Sequence, residues 1–186
     1  MLIKLGHTAD HGFDEPLGLL SDCHRRIEGF LGAMIAVAGR GPELTPADRD
    51  LLERAVRYFA TSAPRHTADE EDSLFPRLRE SGDAGARDAL ATVQRLESDH
   101  RAAETRHAAV DRLATQWLTN GTLPAAQLAE LAEQLEALKK LYAVHIHVED
   151  QELFPAAARV LDAEQLHEIG REMADRRGVP FRPPNL

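Results

Sequence analysis

One cysteine, Cys23, leaves no partner for an internal disulfide and suits a reducing compartment. Aromatic residues make up only 5% of the chain, so the stacking platforms that hold single-stranded nucleic acid are not expected. Positive charge is also short: 22 Lys and Arg face 31 Asp and Glu, and the formal charge of −9 argues against a nucleic-acid partner. No apolar run reaches the roughly 18 residues of a membrane span. The N-terminal stretch MLIKLGHTADHGFDEP lacks the basic-then-apolar order of an export signal. The expectation is a cytoplasmic, soluble protein with no membrane and no nucleic acid among its partners. Its 186 residues suit one domain with a real core.

Runs of Val, Ile and Thr are almost missing too, while Ala, Leu, Glu and Arg dominate, which favours helix throughout. Punctuation divides the chain into four long helical segments and a shorter fifth. The first starts at Pro16 and ends near Gly39. The second opens at Thr45-Pro46 and runs to about Ser81, with a kink or break at Pro64. The third starts at Asp83 or shortly after and stops at Asn120-Gly121; the fourth runs from Thr122–Pro124 to about Phe154-Pro155. A fifth begins at Asp162, where Asp-Ala-Glu-Gln reads as a capping box, and frays before Gly178.

Apolar residues step by three and four along each long segment: Leu20, His24, Ile27 and Leu31 in the first, and Leu135, Leu138, Tyr142, His145, Glu149 and Glu152 in the fourth. Short connections make neighbours antiparallel. The fold class is therefore all-α: an up-down-up-down four-helix bundle with a short extra C-terminal helix. The expected division is residues 1–15 as an N-terminal extension, 16–160 as the bundle, and 161–186 as C-terminal helix and tail.

One phrase is written twice. His66–Pro76 reads HTADEEDSLFP and His145–Pro155 reads HIHVEDQELFP, 79 residues apart. In each, Glu follows His by four, which places both side chains on one helix face a turn apart. The other two helices carry a matching pair, His24/Glu28 and His100/Glu104, 76 residues apart, so the chain reads as two copies of a helix pair. His24 lies eight residues after Pro16, while His66 and His145 each precede a Pro by ten, which puts these three near one height. His100, 17 residues after Asp83, fits that level less well unless its helix starts late.

A lone inward histidine is most often a satisfied core residue. Four of them at nearly one depth, beside carboxylates that are costly to bury unpaired, point to a metal centre. The ligand count exceeds that of structural zinc, and calcium or magnesium would want oxygen alone. Mixed imidazole and carboxylate suit two iron ions, with manganese or zinc ranked behind iron. Glu70 and Glu149 are the best-placed bridging carboxylates. His107 and Tyr142 extend the inward stripes and read as core, with lining of an access pocket or contact with a bound oxygen species as the functional option. Glu71, Asp72 and Asp150 read as a solvated acidic face, with a hydrogen bond to a ligating His as the other option.

From about Leu17 to Val160 the chain resembles the hemerythrin-like (HHE cation-binding) family. The resemblance rests on His24, His66-x-x-x-Glu70 with LFP, His100, and His145-x-x-x-Glu149 with LFP. It implies a non-haem di-iron centre with an oxo or hydroxo bridge. His24 and His66 would serve one iron, His100 and His145 the other, and Glu70 and Glu149 would bridge. Oxygen carriers of the family have a second His where this chain has Glu104, which is expected to be a seventh ligand or to lie just outside the ligand set. They also have an Asp one place beyond Glu149, where Asp150 stands here. The more anionic site should favour ferric iron over reversible oxygen carriage. The expected partner is a small diatomic or peroxide ligand (O2, NO or H2O2), bound or turned over. An iron sensor or store, and a protein of nitrosative-stress or iron–sulfur repair, are the competing functions.

Overall fold

A computed structural model describes residues 11–81 and 86–181, the side chains of 86–90 excepted. Four rods form the bundle. The first is α1 (Pro16–Ala38); Pro16 occupies its first turn, where a missing N–H costs nothing. The second is assembled from α2 (Pro46–Thr61), α3 (Ala63–Ala68), a π-helical stretch (Asp69–Leu74) and α4 (Phe75–Glu80). Thr45 caps it, its side chain accepting from Asp48 N–H, and the turn at Ser62 breaks it just before Pro64. The third rod is α5 (Ala86–Asn120). The fourth is α6 (Ala125–Val148), a second π-helical stretch (Glu149–Leu153) and α7 (Phe154–Val160). Asp162 then opens α8 (Ala163–Arg176) with a complete capping box. No helix among the described residues is long and apolar enough to cross a membrane.

Two expectations need correction. The fourth rod does not end at Phe154-Pro155 but passes through Pro155 to Val160. The helical stripe also breaks within it: Glu152, which simple three-and-four spacing turns inward, is exposed, and Leu153 is buried instead. Proline is the cause. Pro76 and Pro155 have no N–H, and in an α-turn each ring would collide with the carbonyl four residues back. The backbone widens ahead of each, so that Phe75 N–H bonds Glu70 O and Phe154 N–H bonds Glu149 O, five residues back. The Asp83 start of the third helix lies outside the described residues.

The rods close at one end through their loops. Leu44 N–H bonds Gly121 O, Leu123 N–H bonds Pro42 O, and the Trp117 indole N–H donates to Pro42 O at 2.7 Å. Gly121 takes φ +75°, a conformation that L side chains rarely adopt. Apolar residues gather in two clusters. One, toward the loop end, centres on Ile27, Leu31, Leu113, Trp117, Leu135 and Leu138. The other, at the opposite end, joins Leu20, Leu74, Phe75, Leu96, Phe154 and Ile169, and α8 packs there against α1 and the first π stretch. Between the clusters lies a polar layer.

Candidate metal centre

That layer is built by all four rods. His24 comes from α1, His66 from α3, His100 from α5 and His145 from the end of α6, while Glu70 and Glu149 come from the two π stretches. His24, His66, His145, Glu70 and Glu149 are buried, both glutamates with no exposed surface. One ligand atom from each of His24, His66, Glu70 and Glu149 lies within 4.8 Å of the others, and the same holds for His100, His145 and Glu149. The remaining expected ligand, Glu104, falls in neither group: it is exposed and lines a larger pocket beside His100 and His107. Glu28 is exposed as well.

The carboxylates span both groups. Glu70 Oε1 is 3.5 Å from His66 Nε2 and 3.9 Å from His24 Nε2, while its Oε2 is 3.5 Å from His100 Nε2. Glu149 Oε2 is 3.1 Å from both His24 Nε2 and His145 Nε2. None of these contacts is directed as a hydrogen bond: His24 Nε2 and all four carboxylate oxygens of Glu70 and Glu149 are buried without a hydrogen-bond partner. So many orphaned polar atoms in one layer would be costly, and their convergence fits a cationic guest. His100 Nε2 and His145 Nε2 also face each other at 3.1 Å, an arrangement that a proton or a metal between them satisfies.

The outward edges of two of the rings, His24 and His100, are fixed separately, while Nδ1 of His66 and of His145 has no hydrogen-bond partner. His24 donates Nδ1–H to Asp150 (3.0 Å), which also accepts from the Ser21 hydroxyl (2.7 Å). His100 donates Nδ1–H to Glu71 (2.8 Å), and His145 Nδ1 lies 3.5 Å from Asp99. A carboxylate can only accept, so Nδ1 carries the hydrogen and Nε2 is left facing the centre. Each LFP phenylalanine stacks on one of these rings, Phe75 on His100 and Phe154 on His24. The twice-written phrase thus supplies an inward Glu, an acid that orients a histidine on another rod, and a ring that packs against that histidine. Asp72 is exposed, in keeping with a solvated face; Glu71 and Asp150 are committed to the histidines.

Electrostatics follow the geometry. Burial, then the Glu149 carboxylate, push Glu70 up to about 8. Burial pushes Glu149 the same way, but the His145 and His24 imidazoles beside it outweigh that and hold it below the usual range. Burial opposes charge on His24, yet Asp150, Glu149 and Glu70 together raise it well above an ordinary imidazole. His66, buried and beside His24, is held well below. Glu70 and His24 therefore hold protons where a cation would otherwise sit, while His66 stays neutral.

A cavity of about 20 Å³ touches His24, His66, His100, His145 and Tyr142. It shares Ala63, Thr67, His100 and Tyr142 with an outer pocket of about 300 Å³ that reaches Phe59, Glu104 and His107. The Tyr142 hydroxyl is hydrogen-bonded to His107 Nε2 at 2.8 Å, and burial lowers His107 to about 4, so the ring is neutral at pH 7. Tyr142 thus borders both spaces with its hydroxyl locked.

Comparison with known proteins agrees with this centre. The family model described as the hemerythrin HHE cation binding domain matches residues 15–157. A protein of Haemophilus influenzae (strain ATCC 51907 / DSM 11121 / KW20 / Rd), described only as uncharacterized, is 28% identical over 170 residues, covering 90% of this chain and 92% of that one.

Proposed function

The chain belongs to the hemerythrin HHE cation-binding family, and from that membership we propose that it is a cytoplasmic di-iron protein that binds or reacts with O2, peroxide or NO. The observation that carries the reading is the layer of buried, hydrogen-bond-free ligand atoms between two apolar clusters. His24 and His66 would hold one iron and His100 and His145 the other, with Glu70 and Glu149 reaching both. Iron with an open position supplies affinity for a small diatomic or peroxide ligand.

The chain's own residues do the rest. Asp150 and Glu71 keep Nδ1 of His24 and His100 occupied and Nε2 inward, and Asp99 lies near His145 Nδ1. The apolar clusters exclude bulk water, and Tyr142 borders both the 20 Å³ cavity among the four histidines and the outer pocket. The number of mixed imidazole and carboxylate donors favours iron over manganese or zinc.

Metal analysis of the purified protein, with visible spectra before and after O2, H2O2 and NO, tests the proposal. Two irons per chain and a new charge-transfer band on ligand addition are expected. Protein produced with ample iron that carries none after purification sinks the metal reading. Two irons with no response to any of the three ligands would leave a sensor or store in its place.

A further inference from the structure

A second pocket, of about 370 Å³, lies on the outer side of the first half of the centre. Among the described residues its lining includes Arg26, Arg65 and Arg177, the Cys23 thiol, Tyr58 and Ser62, and no Asp or Glu. In a chain of net charge −9, three guanidinium groups around a cavity with no acid among its described lining residues are unexpected. Two of them are pinned from behind. Arg177 is gripped by Asp69 (3.1 and 2.6 Å) and lies over the Phe13 ring. Arg26 donates to the Asp22 carbonyl at 3.2 Å and reaches the Cys23 sulfur at 3.7 Å. Arg65 is exposed and pairs with no acid among the described residues. Each guanidinium carries five N–H donors, so donors remain for a guest.

The internal repeat shows that this is an addition to one half only. Cys23, Arg65 and Asp69 immediately precede His24, His66 and Glu70. Shifting by the repeat spacings of 76 and 79 residues, the equivalent positions in the other half hold Asp99, Val144 and Val148. Asp99 places its own carboxylate by His145, and Val144, an uncharged residue where the first half has Arg65, is 62% exposed. The half that lacks a built-in acid at this position is the half backed by three arginines.

We propose that this pocket is a binding site for a small polyanion carrying phosphate or paired carboxylates, held by Arg26, Arg65 and Arg177 directly behind His24 and His66. Planar guanidinium forks suit either oxyanion, and the pocket volume falls in the range of small-molecule sites. The site is separate from the metal centre and does not depend on which metal is bound.

Calorimetric titration of the full-length, metal-loaded protein with inorganic phosphate, and separately with malonate, at constant ionic strength set by chloride, tests this. Saturable one-to-one binding is expected, and the arm that binds tighter distinguishes phosphate from carboxylate ligands. Arg65→Glu should weaken binding about tenfold or more, since hydrogen bonds to charged groups carry roughly that much. Arg26→Gln should weaken it as well, while Arg112→Glu, which makes the same charge change on an exposed site remote from the pocket, should not. Circular dichroism checks that each variant is folded. No saturable binding of either anion, or equal weakening by Arg65→Glu and Arg112→Glu, overturns the proposal.

Discussion

At pH 7 the metal-free centre should hold a proton on Glu70, and iron must displace it to enter. Burial and the neighbouring Glu149 carboxylate set this group at about 8. Roughly nine molecules in ten then carry the proton at pH 7, about half at pH 8, and about one in ten at pH 9. Metal needs the carboxylate, so binding should expel about 0.9 proton from Glu70 at pH 7 and only about 0.1 at pH 9. Removing it at pH 7 costs about 1.4 kcal/mol, or about tenfold in apparent affinity. His24, also raised well above its ordinary value, adds a proton of its own to the total, so the Glu70 contribution must be isolated. Anaerobic calorimetric titration of the metal-free protein with Fe²⁺, in buffers of differing ionisation enthalpy, counts the protons. Glu70→Gln should lower the count by nearly one at pH 7 and leave it almost unchanged at pH 9. If the wild-type count does not fall between pH 7 and 9, and the variant matches it at pH 7, the assignment of this proton to Glu70 is wrong.

Asp150→Asn and Glu71→Gln should each weaken metal retention by about 10–100-fold, because they release the Nδ1 edge of His24 and His100; competition with a chelator reads this, and unchanged affinity in both would show that the rings are oriented by packing alone. His107→Leu should flatten the acid side of the stability curve. Burial holds His107 at about 4 in the folded protein against about 6.5 unfolded, so its contribution is intact above pH 6.5 and declines by about 3 kcal/mol as pH falls to 4. Urea unfolding from pH 4.5 to 7.5 tests it, and equal slopes for variant and wild type would count against a neutral buried ring. Gly170→Ala should destabilise by about 1–3 kcal/mol, because an added Cβ would stand 1.8 Å from the Phe13 carbonyl oxygen; an unchanged melting temperature would mean that α8 does not dock there.

Much of the bundle is legible in the sequence because its signals are local. Pro16, Thr45-Pro46 and the Asp162 capping box mark helix starts through backbone hydrogen bonds that involve only near neighbours. The histidines that meet in the polar layer are legible for the same reason, since inward spacing on one helix needs no knowledge of the next. What stays hidden depends on two rods at once. Glu71 and Asp150 look like members of an acidic surface, and only the neighbouring rod shows that each meets a histidine. Glu104 keeps the four-residue spacing after His100, but α5 turns it outward, and no widened turn follows His100 as one follows His66 and His145.

The widened turns explain why the two LFP phrases matter beyond packing. A regular helix would carry the inward stripe from Glu149 to Glu152, placing a third carboxylate in the apolar cluster away from the loop end, where burial would be costly. The π stretch lengthens that turn by one residue, so Leu153 and Phe154 enter the cluster and Glu152 faces outward. In the first phrase the widened turn brings Leu74 and Phe75 into the same cluster beyond Glu70, but the residue three past Glu70 is Ser73, which is itself buried, so no acid is displaced there. Proline thus does more than interrupt the helix. In the second phrase, by forbidding one hydrogen bond, it keeps Glu152 out of the interior and leaves Glu149 as that phrase's only glutamate among the imidazoles; in the first phrase Asp69 is buried beside Glu70 but is taken up by Arg176 and Arg177.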